Sequence, residues 1–184
     1  MDKFGQNLMK TNIGMLRWND GSLHSIPQYY ADMTGWEQLA RKVIKEYQSM
    51  DRSEQKKTHI LTDWYGPAGA IQYYGSKYGL PNPICLNDNF LLQAPDSLTG
   101  EIFIIASWRK DLDSMFNSVL LVDSVVDKYS TVNNLPIYLC INPNKLFTTI
   151  YSESVDFNYI RFNRDYAGKL RQIENLAENK KYAC

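Results

Sequence analysis

The sequence predicts an α/β fold: a three-layer sandwich, Rossmann-like or flavodoxin-like, whose mainly parallel, partly mixed sheet of about five strands lies between helices. Three observations carry it. Thr58 to Thr62 is a β-rich run that meets a Gly/Pro-bearing turn and then an amphipathic helix, the first half of a strand, helix, strand unit. Ile102, Phe103, Ile104 and Ile105 follow one another without a break, a pattern that requires burial on both faces and so the centre of a sheet. Helix-period and strand-period segments also alternate along the 184 residues, a length that suits one domain with a real core.

In chain order, residues 1–30 read as an ordered arm or linker, with a turn at Asn19-Asp20-Gly21 and an extended entry at Ser25-Ile26-Pro27. Residues 31–184 read as a single α/β domain. Thr34-Gly35-Trp36-Glu37 has the form of a capping box, and Trp36, Leu39, Ala40, Val43, Ile44 and Tyr47 form an apolar stripe that predicts a helix to about Met50. Asp51 to Lys57 is expected to be a solvated loop, since its acids and bases interleave. In the central unit Pro67 suits a first helical turn, Ile71, Tyr74 and Tyr78 share a face, and Gly79 suits a left-handed cap. Pro83 to Leu86 is expected to be a short strand, Arg109 to Phe116 a short helix with Leu112, Met115 and Phe116 turned inward, and Val119 to Val126 and Ile137 to Ile141 two strands of a hairpin. A closing helix is predicted from Asn163 to about Lys181, with Tyr166, Leu170, Ile173 and Ala177 on one side.

Twenty basic and twenty acidic side chains cancel, so no net field draws the chain to nucleic acid or anionic lipid. Cys85, Cys140 and Cys184 are too far apart for a zinc motif and are read as small apolar residues. No stretch approaches the roughly twenty apolar residues needed to cross a bilayer, so the chain as it stands is expected to be soluble. His24 and His59 lack metal-ligand spacing, and no metal or cofactor is expected.

The helix start at the carboxyl end of Thr58 to Thr62 is where open α/β sheets place ligands, because unpaired N–H groups converge there. The binding residues proposed at this edge are Asp63, Trp64, Tyr65, Gly66 and Gly69, together with Asn87, Asp88 and Asn89 on a neighbouring loop. Gly66-Pro67-Ala68-Gly69 fits neither the dinucleotide fingerprint nor a P-loop, so backbone geometry is the favoured use of both glycines. Asp63 could orient a substrate hydroxyl or cap the turn, with capping slightly favoured. Asp63 and Asp88 could form a carboxylate pair for acid/base work, but Asx-rich turns are far more often local hydrogen-bonding devices. No residue is assigned a catalytic role.

Leu23 to Trp36 (LHSIPQYYADMTGW), Tyr65 to Leu80 (YGPAGAIQYYGSKYGL) and Pro136 to Cys140 (PIYLC) together give the chain its resemblance to a known family. It resembles, over about residues 20–145, the soluble C-terminal region of bacterial membrane glycosyltransferases of the dolichyl-phosphate-mannose protein mannosyltransferase type, family 39. The resemblance implies a parent with many membrane spans that moves a sugar from a polyprenyl-phosphate carrier to an acceptor outside the cytoplasm. The family's catalytic acid lies in the membrane half, and no position here matches it. The chain would then be a non-catalytic accessory or acceptor-binding domain on the periplasmic side, with residues 1–30 leading from a membrane region. Its partners would be the membrane-embedded catalytic part of the same parent and a glycan or protein acceptor. A second class stays open: a free-standing small-molecule-binding protein or hydrolase that uses the edge near Asp63 and Asp88.

Overall fold

The computed structural model describes residues 14–158. Four strands form one mixed sheet: β1 (Thr58–Thr62), β2 (Ile102–Ala106), β3 (Phe116–Ser124) and β4 (Pro136–Pro143), in the order β1-β2-β4-β3. Helices α1 (Gln28–Ala31), α2 (Trp36–Ser49), α3 (Arg52–Lys56) and α4 (Tyr65–Gly75) precede β2, and the last helix among the described residues, α5, covers 145–158. The α/β class and the helices on both faces agree with the expectation. The strand count and direction do not: β1 and β2 are parallel, whereas β2 with β4 and β3 with β4 are antiparallel.

The missing fifth strand has a local cause. Pro83 to Leu86 does run along the outer edge of β1, but pairing shrinks to one parallel bridge, Leu61 with Ile84, held by Thr62 N–H to the Ile84 carbonyl (3.0 Å) and Ile84 N–H to the Ile60 carbonyl (2.7 Å). Pro81 and Pro83 have no N–H to extend the ladder.

Each face of the sheet carries its own core. On one face Leu39, Val43 and Tyr47 of α2 and Ile71 of α4 cover Ile60, Ile104 and Ile137. On the other, Phe103, Ile105 and Cys140 meet Leu112, Met115, Phe116 and Phe147 of α5. Four of the five residues of β2 are buried, as its unbroken apolar run requires.

Several local expectations are corrected. Gly35, with φ 85°, is the N-cap of α2, and Thr34 Oγ1 donates to the Ala31 carbonyl (3.3 Å) instead of capping. The capping box sits one element later: Asp51 to Lys57 is no loop but α3, where Asp51 Oδ1 accepts from Ser53 and Glu54 N–H and Glu54 accepts from Asp51 N–H. Arg109 to Phe116 contains only a 3-10 turn, Leu112–Ser114, because Phe116 already belongs to β3; its Leu112, Met115 and Phe116 are nonetheless buried. In α4, Ile71 is buried, but Tyr78 falls in a 3-10 turn after the helix and is exposed. Gly79 takes the left-handed conformation expected of it, with φ 73°. The closing helix from Asn163 to Lys181 lies outside the described residues.

Cys85 and Cys140 are buried, and burial pushes the Cys140 thiol up to about 12 and Cys85 upward as well, so both act as apolar residues. His59 is half-buried beside Phe103, and that burial holds its imidazole below its ordinary value near 6.5. Folding therefore disfavours the charged ring, and stability is expected to fall as pH drops through about 6.5 toward the lower folded value. Urea midpoints at pH 7.5 and 5.5 check this: His59→Gln should flatten the difference, and an unchanged slope would assign it to other groups.

Candidate functional site

The winding of the chain defines where a ligand can enter. From β1 the chain crosses one face through α4 and returns at Ile84 on the outer side of β1, then passes the opposite face and enters β2 on the inner side. The chain thus leaves β1 over the α2/α4 face and leaves β2 over the opposite face, where Leu112 and Met115 pack, which opens a crevice at the carboxyl ends of the two strands. Asp63 sits there, immediately after β1.

Its carboxylate spans the crevice. Asp63 Oδ1 accepts from Ser107 Oγ (2.7 Å), and Oδ2 accepts from Trp108 N–H (3.0 Å) just beyond β2. The buried Ser107 hydroxyl also accepts from Arg109 N–H (3.0 Å). On the outer side Asn87 Nδ2 donates to the Asp63 carbonyl (2.7 Å). Asp63 therefore ties together the β1 end, the β2 end and the 87–93 loop. The clasp goes beyond capping a turn, but it is the same kind of role.

Below this rim lies a cleft of about 240 Å³ between the sheet and α5. Leu61 and Ile105 from the strands, Met115, and Phe147 and Ile150 from α5 make its apolar body. Asp63, Asn87, Arg109, Ser154 and Asn158 supply polar groups around it. Arg109 is chelated by Asp111, with Nε at 2.9 Å and Nη2 at 2.7 Å from its two carboxylate oxygens, and that hydrogen bonding holds the Asp111 carboxyl below its usual range. The pair is self-neutralised, and among the described residues that line the cleft Arg109 is the one cation.

The other proposed site residues divide by what they touch. Asn87 lines the cleft, but Asp88 and Asn89 do not; they begin the 3-10 helix Asp88–Gln93, and Asp88 takes a left-handed φ of 51°. Asp88, the partner expected for an acid/base pair with Asp63, is not among the residues that line the cleft. Trp64 is the N-cap of α4 and packs at the margin of the core, while Tyr65 is exposed. At Gly66 a Cβ would come within 2.8 Å of Trp36 Cη2 and 3.0 Å of Trp64 Nε1, so this glycine admits two indoles. Gly69 differs: a Cβ there meets nothing within 4 Å. Gly69→Ala is therefore expected to stabilise the protein by about 0.5–1 kcal/mol through helix propensity alone, read as a raised melting temperature. A loss of stability would show an unseen demand for bare backbone.

Sequence reasoning missed Arg109 and the whole α5 wall. The wall had a signal. Asn144 Oδ1 caps α5 by accepting from Leu146 N–H (2.9 Å) and Phe147 N–H (3.2 Å), and Phe147, Tyr151 and Val155 recur every fourth residue. Arg109 had none, because only the fold brings it to the cleft.

No protein-family model, no curated protein and no solved structure matches the chain. Among the described residues, no cluster of His, Cys, Asp or Glu could hold a metal ion, and no helix is long and apolar enough to cross a membrane.

Proposed function

We propose that the chain is a non-catalytic, acceptor-binding accessory domain of a polyprenyl-phosphate-sugar-dependent glycosyltransferase, working on the extracytoplasmic side and contacting its acceptor at the strand-end cleft. The observation that carries the binding role is the cleft itself, an apolar pocket at the crevice between β1 and β2 with hydrogen-bonding groups along its rim. Both oxygens of Asp63 already serve Ser107 and Trp108, which supports a binding role over hydrolysis. The self-neutralised Arg109 and Asp111 favour an uncharged ligand bearing hydroxyls or amides and an apolar face, as a glycan or peptide segment has. The glycosyltransferase context rests on the three sequence segments that resemble family 39. The parallel pairing of β1 with β2 also supports reading this half of the sheet as a reduced Rossmann-like arrangement.

Fractionation of the source cells, blotted with an antibody against this domain, tests the context. A band far above 21.3 kDa in the membrane fraction is expected. A soluble band near 21.3 kDa would remove the transferase context and leave the cleft as the site of a free-standing small-molecule-binding protein.

A further inference from the structure

We infer that the outer edge of β3 is a self-association surface, and that a second copy of this chain pairs with it antiparallel across a twofold axis to join two four-stranded sheets into one. β3 is nine residues long and ends the sheet, and among the described residues no backbone group outside the β4 ladder bonds to Asn117 through Val122. Sheet edges are usually protected by lysine, proline or a covering element, because their unpaired N–H and C=O groups recruit other strands. This edge has neither Lys nor Pro along Phe116–Ser124, and its bulge lies at the far end, between Leu121 and Asp123. Leu120 and Leu121 are each 57% exposed, on opposite faces.

The sequence of the edge complements itself. In a twofold pairing centred on Leu120, the two Leu120 side chains meet on one face. Leu121 opposes Val119 of the other copy on the other face, where Val119 already borders the Phe103 core. Both exposed leucines thereby gain apolar cover. The bulge sets Asp123 level with Ile137, on the Leu120 face, so the strand's single charge falls opposite Ser118 and not its own counterpart, and Lys42 Nζ already binds it at 2.5 Å. Like charges directly opposite would disfavour such a pair, and the centring on Leu120 avoids them. The surface lies at the sheet end remote from β1, so two copies would leave both strand-end clefts open.

Light scattering coupled to size exclusion, run on the full chain over a dilution series, tests this. The expected result is twice the 21.3 kDa chain mass at high concentration, converting to the single-chain mass in Leu120→Lys/Leu121→Lys, with an unchanged far-ultraviolet spectrum confirming the fold. Leu146→Lys, at an exposed position on α5, should leave the dimer intact. A monomer throughout the series would overturn the inference, as would a dimer that survives the double substitution or an open-ended series of larger species.

Discussion

Phe103→Ala is expected to lower stability by about 3–5 kcal/mol, the usual range for deleting a buried aromatic ring. Phe103 is fully buried on the central strand, with its ring 5.3 Å from Phe116 and 5.1 Å from Phe147, which are themselves 4.6 Å apart. These rings join β2, β3 and α5, so the cavity would lie where three elements meet. None can close it without moving the others. Because α5 and Ile105 also wall the cleft, binding there should weaken in parallel with stability. Chemical denaturation measures the first effect, and a loss below about 1 kcal/mol would mean that α5 is not docked through this cluster.

Gly35→Ala is expected to cost about 2–4 kcal/mol, combining a left-handed backbone penalty with overpacking. Gly35 has φ 85°, and a Cβ there would overlap Ser130 Oγ and come within 2.8 Å of Val132 Cγ2. Neither neighbour can yield cheaply. Ser130 Oγ donates to the Thr34 carbonyl (2.7 Å) and accepts from Val132 N–H (3.1 Å), and Val132 belongs to the core under α2. Gly35→Ala should therefore loosen the contact between α2 and the 125–135 loop, seen as faster amide exchange at Val132. Equal stability of variant and parent would contradict this local geometry.

The sequence made some elements legible because their patterns are periodic and long. The stripe of α2 and the unbroken run of β2 left one physical solution each, burial on one side and burial on both. Shorter features depended on what they met in space. Thr34 and Glu37 have the spacing of a capping box, but Gly35 turns left-handed to fit against Ser130 and takes the cap position away. The edge at Pro83 to Leu86 has strand character, yet its prolines limit it to one bridge. At the site, Asp63 and Asn87 were legible from the strand-end rule. Ser107, Trp108 and Arg109 were not, because their meeting with Asp63 depends on β2 lying parallel to β1, 44 or more positions along the chain.

The cleft beneath Asp63 is proposed to bind an uncharged ligand with an apolar face. The most direct measurement is amide and methyl NMR of the labelled chain titrated with a phenyl hexoside, whose ring and hydroxyls match the cleft's two surfaces. Saturable shifts at Leu61, Asn87, Ile105 and Ile150, abolished when Ile150→Trp fills the space, are the predicted result. Shifts scattered over the surface, or none at these four residues at millimolar ligand, would contradict it.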